Sequence, residues 1–574
     1  MRRLLLLTGL AAVVGLAAGG AAWALVHLIG LITNLVLFHQ WAWKAPSFST
    51  LDRSPLLILA AMGGGLAVSL LALWSPVIKG HGIPEAMEAV LTKQSRIAPR
   101  TAIAKPLSAA ISIGTGGPFG AEGPIIVTGG ALGSLVGQLI PMSPSERKIL
   151  LASGAAAGMA ATFGTPLAAV VLAIELLLFE LSTRSFIPLV VASAVAGGVH
   201  ATLFGDAAFF ATPDHRFAGL GTLPVFALLG LGAGLLAVIV CKGLFAVEAG
   251  FRRLPVKPFW HPVIGGAVFG AVGLIEPRAL GVGYDAITDI LDNRLALGAV
   301  AVLAAVKLVA WWVALGSGTS GGTLAPILLI SAGFGSLFGA AAQHVVPSIG
   351  VSQGAFALVA MAAVFGAATR ATFTSIIFVF ELTGDYKAIL PLMVASVIAD
   401  LVATGMLHDS LMTEKLSRRG LRVHADYEVD VLRTAFVRDL MSTEVETVPV
   451  TATPDDLRER FARGRHSAYP LVDGDGHCVG IVTRGDVLRD TIEEDAVSSR
   501  HRADDVVTVA PGDLGIVALQ RMLEEGVDHL PVIEQGRLVG ICTRTDILRV
   551  RHERFALERV QPGWRPARAR INRR

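Results

Sequence analysis

Cysteine is scarce: the 574 residues hold only Cys241, Cys478 and Cys542, none spaced for a metal site or an obvious pairing. That usage suggests a reducing cytoplasm around the soluble part of the chain. Charge is scarce too. Only 16% of residues are charged, and the net +3 is too small to argue for nucleic acid as a partner. No nucleophile–base set or metal-ligand cluster stands out, so an enzyme is not expected.

What fills the chain is apolar. Hydrophobic residues make up 53% of it and the mean hydropathy is +0.63. Runs of about 20 apolar residues, the length that spans a bilayer, recur from Leu4 to Leu407. Clear ones are Leu56–Leu73, Phe186–Leu203, Leu223–Cys241, Leu295–Leu315 and Ile389–Leu407. Leu4–Ile29, behind Arg2 and Arg3, is too long for a secretory signal and lacks a small-residue cleavage site, so it reads as a retained first helix with a cytoplasmic N-terminus. A multi-pass membrane protein is expected.

Within this apolar half, Gly114–Pro124 reads GTGGPFGAEGP and carries one carboxylate, Glu122. Glycine lets the backbone approach a ligand, and helix-start amides can point at an anion. A glutamate at membrane depth costs about 2.5–3.5 kcal/mol or more, which marks it as a functional candidate. The chain also repeats itself at an offset of 202: Lys105 falls on Lys307, Gly114-Thr-Gly on Gly316-Ser-Gly, Pro124 on Pro326, and Met159–Gly164 on Met361–Gly366. Glu122 falls on Leu324, so only one copy carries the acid. Repeated, glycine-interrupted apolar segments point to a site near the bilayer midplane. A third break, Gly80-His-Gly-Ile-Pro84, can end one segment and start a helix facing a ligand, or be a simple interfacial turn.

After Leu416-Ser-Arg-Arg-Gly420 the composition turns charged; Lys415, Arg418, Arg419 and Arg422 place the remainder of the chain on the cytoplasmic side. There Gly480-Ile-Val-Thr-Arg-Gly-Asp-Val-Leu-Arg489 recurs as Gly540-Ile-Cys-Thr-Arg-Thr-Asp-Ile-Leu-Arg549. Each copy reads as strand, helix, paired strands, helix, and resembles a CBS module.

The three breaks in this order, with that pair behind them, resemble the CLC family of chloride channels and transporters. The resemblance implies an all-α membrane domain over 1–420, built of two inverted repeats of short broken helices. A linker (421–436), two α/β CBS domains (437–495 and 501–550) and a basic tail (551–574) complete it. It further implies a homodimer with one anion pathway per subunit, in a bacterial inner membrane with both termini cytoplasmic. Glu122 matches the external gating glutamate. His81, Gly82, Ile83, Pro84, Gly120, Ala121, Gly123, Thr323 and Leu324 match the anion-binding motifs, and Lys105 a lysine near the pathway. In the CBS pair, Thr483 and Thr543 would contact the phosphate of an adenine nucleotide, and Asp486 and Asp546 its ribose; dimerisation is the other role open to it.

Three departures bear on mechanism. His81 replaces the family's usual serine, Met412 the tyrosine near the inner end of the pore, and Leu176 the inner proton-transfer glutamate of coupled exchangers. Leu176 cannot titrate, and Glu175 and Glu180 are the substitutes at hand, each also readable as an interfacial or packing carboxylate. Glu381, which matches Glu175 if four extra residues are allowed, and Asp400 read as structural groups at helix ends. Chloride is thus the expected cargo, with channel-like or weakly proton-coupled flow preferred over full exchange. Rival readings are a CBS-bearing divalent-cation transporter, which would need more acidic residues along the path, and a membrane-anchored nucleotide sensor.

Overall fold

The computed structural model describes residues 2–210, 215–217, 219–421, 432, 435–464, 466–488 and 506–549. The chain divides into two compact units, Met1–Asp426 and Tyr427–Arg574.

Leu, Ala, Val and Gly dominate the first unit, so helices form wherever Pro, paired Gly or a polar cap does not stop them. Its first half runs α1 (Arg2–Leu37), α2 (Leu56–Trp74), α3 (Ile83–Thr92), α4 (Pro99–Gly114), α5 (Glu122–Leu139), α6 (Pro144–Phe163), α7 (Pro166–Ala173) and α8 (Thr183–Leu203). The second half repeats that order: α9 (Leu223–Arg253), α10 (His261–Gly273), α11 (Tyr284–Leu291), α12 (Leu297–Gly316), α13 (Leu324–Val345), α14 (Gln353–Thr369), α15 (Thr372–Thr383) and α16 (Ile389–Met406). A short α17 (Glu414–Arg418) ends the unit's helices. Among the described residues seven helices are long and apolar enough to cross a membrane, including α1 and the five runs read from the sequence.

Starts and stops obey local chemistry. A reciprocal Ser143–Glu146 capping box, with Pro144 at the first position, opens α6. Gly164 closes it in the left-handed region, and Pro166 begins α7 at once. Small residues then let the helices approach. Gly129 of α5 lies so close to α6 that a Cβ there would sit 2.1 Å from the Gly154 carbonyl oxygen. The equivalent α13–α14 contact uses Gly335 against Phe356 and Ala357. The four extra residues of the second half fall between Gly366 and Ala371 and lengthen the end of α14.

In the second unit, α18 (Val437–Leu440) precedes β1 (Val448–Pro449), α19 (Pro454–Arg463), β2 (Ala468–Val472), β3 (Cys478–Thr483) and α20 (Arg484–Leu488). Then come α21 (Gly515–Glu524), β4 (His529–Glu534) and β5 (Arg537–Thr543). β2 pairs with β1 in parallel and with β3 antiparallel; β4 and β5 form an antiparallel pair. Val437 and Leu440 join the core of the second module with Ala518, Met522, Leu530 and Val532. Most of the linker and all of the tail 551–574 lie outside the described residues.

Candidate functional site

The three glycine-rich breaks meet. Gly80 N–H donates to the Thr319 carbonyl at 3.0 Å, and Gly322 N–H to the Gly120 carbonyl at 2.8 Å. Gly123 packs so tightly on the first break that a Cβ would stand 2.2 Å from the His81 carbonyl oxygen. Each break ends in a helix start: Gly82 precedes α3, Ala121 precedes α5 and Thr323 precedes α13. Gly82 has φ +95°, which a side chain would strain. Ile83 and Pro84 are the buried first residues of α3, and Leu324 that of α13. First-turn amides have no partner inside their own helix, so three positive dipole ends face one small region.

Glu122 opens α5 and is wholly buried. Its Oε1 accepts a hydrogen bond from the Tyr284 hydroxyl at 2.7 Å. Its Oε2 lies over two glycines: a Cβ would come within 1.8 Å of it at Gly120 and 2.6 Å at Gly322. The carboxylate therefore occupies a seat only glycines can furnish. Oε2, the Thr323 hydroxyl and His81 Nδ1 are all buried with no hydrogen-bond partner among the described residues. Buried polar atoms are ordinarily paired, and these three belong one to each of the glycine-rich breaks.

Lys105 and Lys307 serve the backbone. Lys105 Nζ donates to the Ile78 and Gly80 carbonyls, both at 2.7 Å, and Lys307 Nζ to the Gly281 carbonyl at 2.7 Å. Each lysine anchors a Gly-x-Gly loop ahead of a short helix, Gly80-His-Gly before α3 and Gly281-Val-Gly before α11. That second loop and Tyr284 escaped the sequence reading, although Gly80 plus 201 is Gly281 and the signal was present.

Around this centre, the His81 ring faces the Leu411 backbone, next to Met412, which is fully buried. Lys415 on α17 reaches Glu85 in the first turn of α3 at 4.0 Å. Beyond Glu122 opens a cavity of about 540 Å³, bordered by Ala121, Thr162, His200, Phe209, Tyr284 and Asp285. Val26, Ile29 and Thr33 also line it, putting it at the end of α1 opposite Arg2 and Arg3.

The two carboxylates considered for proton relay, Glu175 and Glu180, and the two read as structural, Glu381 and Asp400, make other contacts. Glu175 Oε2 accepts from the N–H and hydroxyl of Thr374, at 3.0 and 2.5 Å, at the start of α15. Glu381 on α15 accepts from Leu167 and Ala168 N–H, at 3.0 and 2.6 Å, at the start of α7. The two half-helices thus cap each other. Glu180 is half-exposed, 3.7 Å from Lys148, and Asp400 faces Arg370. In the soluble unit, Thr483 donates N–H and hydroxyl to Asp486 at 2.8 and 2.6 Å, and Thr543 does the same to Asp546 at 3.0 and 2.6 Å. Both aspartates turn toward their own helix start rather than outward.

Comparison with known proteins agrees with this architecture. Residues 63–404 match the family described as voltage gated chloride channel, and 437–492 and 500–553 match the CBS domain. The chain is 32% identical to the H(+)/Cl(-) exchange transporter ClcA of Vibrio campbellii over 364 residues, 61% of this chain and 78% of that one. It is 26% identical to chloride channel protein CLC-f of Arabidopsis thaliana over 629 residues, 94% of this chain and 78% of that one. A slow cyanobacterial Cl-/H+ antiporter has the same fold, with TM-score 0.64, 23% identity, and coverage of 73% of this chain and 98% of its own. So does a eukaryotic CLC transporter, with TM-score 0.61, 19% identity, and coverage of 95% and 98%. Converging glycine breaks, twin helical halves and a paired soluble module make the chain a member of the voltage-gated chloride channel family, CLC, with two C-terminal CBS domains.

Proposed function

We propose that this protein carries chloride or a similar small monovalent anion across a membrane, through a path that Glu122 closes. The observation that carries the reading is the placement of the Glu122 carboxylate over Gly120 and Gly322, where three helix starts converge. Dehydrating a chloride ion is costly unless fixed dipoles replace its water. Peptide N–H groups do this without a full charge, so the ion can still leave. An ionised Glu122 competes for the same place; protonation from outside, or displacement by chloride, frees it.

Flow is channel-like or weakly coupled to protons. Leu176 offers no proton site, Glu175 caps α15, and Glu180 pairs with Lys148 at the surface. Full exchange through Glu175 or Glu180 is the second reading, favoured by likeness to a protein named as an H(+)/Cl(-) exchanger. The protein works as a homodimer across the short helices α7 and α15, with both ends in the cytoplasm of a bacterial cell. The CBS pair serves dimerisation, or binds an adenine nucleotide after its capped aspartates turn outward.

Chloride efflux from liposomes tests the reading. Wild type should conduct faster at low external pH, and Glu122→Gln should conduct without that dependence. Absence of anion flux in both would leave the nucleotide-sensor reading. A reversal potential that tracks an imposed proton gradient at fixed chloride would decide for exchange.

A further inference from the structure

The second half of the chain gives Glu122 a partner that the matched motifs do not contain. Tyr284 is the first residue of α11, directly after Gly283 with φ +84°. Lys307 fixes the preceding loop through the Gly281 carbonyl. The ring is held edge-on by Phe163, Phe209 and Phe210, with centroids 6.0, 4.9 and 6.2 Å away. Its hydroxyl ends 2.7 Å from Glu122 Oε1 and carries the only hydrogen bond to a side chain that Glu122 makes among the described residues. The same tyrosine borders the 540 Å³ cavity, which touches Ala121 and gives a released carboxylate room to turn away from the seat.

We propose that Tyr284 is the latch of the gate: its hydroxyl holds the Glu122 carboxylate over Gly120 and Gly322, and breaking that bond starts opening from the cavity side. The proposal rests on the reading of Glu122 as the gate. Tyr284 is a positioning residue, since it acts through Glu122. The donor bonds an ionised carboxylate better than a neutral one, so it favours the closed form. Other charged groups near Glu122 are Lys307 on α12, with Asp285 of α11 beside that lysine, and His81 and Lys105 toward the first break. On the cavity side His200 of α8 is engaged with the Ala161 carbonyl at 2.8 Å. Glu146, Arg147 and Lys148 lie at the opposite end of α6. Tyr284→Phe leaves all of these in place and keeps the ring.

The test is chloride flux from liposomes against external pH, with purified full-length protein. Tyr284→Phe should raise the pH of half-maximal flux by about one to two units. Glu122→Gln with Tyr284→Phe should behave as Glu122→Gln alone. A fluorinated tyrosine at 284, a stronger donor, should move the midpoint down. An unmoved midpoint, or an equal effect of Tyr284→Phe with and without Glu122, would overturn the latch. The infrared carbonyl stretch of Glu122, assigned by its loss in Glu122→Gln, reads the bond without any transport. Tyr284→Phe should shift that band and its pH midpoint even if no variant passes anions, an outcome that would sink the gate reading alone. A band that does not move refutes the latch.

Discussion

Lys105 and Lys307 are wholly buried, and neither forms an ion pair among the described residues. Their ammonium groups hold carbonyls, and those carbonyls fix the loops that present His81 and Tyr284. Lys105→Met would leave two buried carbonyls unpaired, at a cost of about 2–4 kcal/mol, read as a lower unfolding temperature in detergent. Gly120→Ala probes the seat: the new methyl would overlap Glu122 Oε2, so flux should persist at neutral external pH as it does in Glu122→Gln. Flux that kept the wild-type pH profile would contradict the placement of the carboxylate. Glu122, the three breaks and Lys307 were legible because Gly, Pro and a constant offset survive as pattern in a linear chain. Tyr284 was not. Its contact spans 162 positions, and its Gly-x-Gly signal sits one residue out of register with the offset that revealed the other motifs.

At the level of elements, α7 and α15 have only 8 and 12 residues, too few to cross a bilayer of about 30 Å. Their exposed N-terminal amides would be costly at membrane depth, and the exchanged caps from Glu381 and Glu175 satisfy them. A capping carboxylate contributes about 1 kcal/mol. Glu381→Gln and Glu175→Gln should each lower thermal stability by that order. If Glu175 only caps, Glu175→Gln should leave the reversal potential under a proton gradient unchanged; a lost shift would restore it as a proton site. The sequence signalled that both acids were unusual but not what they touched, since a cap depends on where a distant helix begins. The soluble unit gives the converse lesson. Thr-x-x-Asp at 483–486 and 543–546 is itself a capping pattern, legible from the sequence alone.

For the whole molecule, large apolar side chains stand exposed on Leu167 of α7, Phe373 of α15 and Leu401 of α16, at 60, 59 and 67%. Lipid can cover such groups, and so can the same face of a second copy of the chain, since the helix ends beside them are already capped from within. Val397→Arg with Leu401→Arg should therefore yield monomers by light scattering in detergent, with flux per chain retained if each subunit has its own pathway. The lysines that clamp the loops carry a consequence at this scale as well. Hydrogen-bonded to carbonyls, each ammonium is partly offset by peptide dipoles and is not presented to an ion as a direct ligand. Dwell times inside should stay brief, and throughput is then set by how often the acid side chain stands aside rather than by any sticky well along the route.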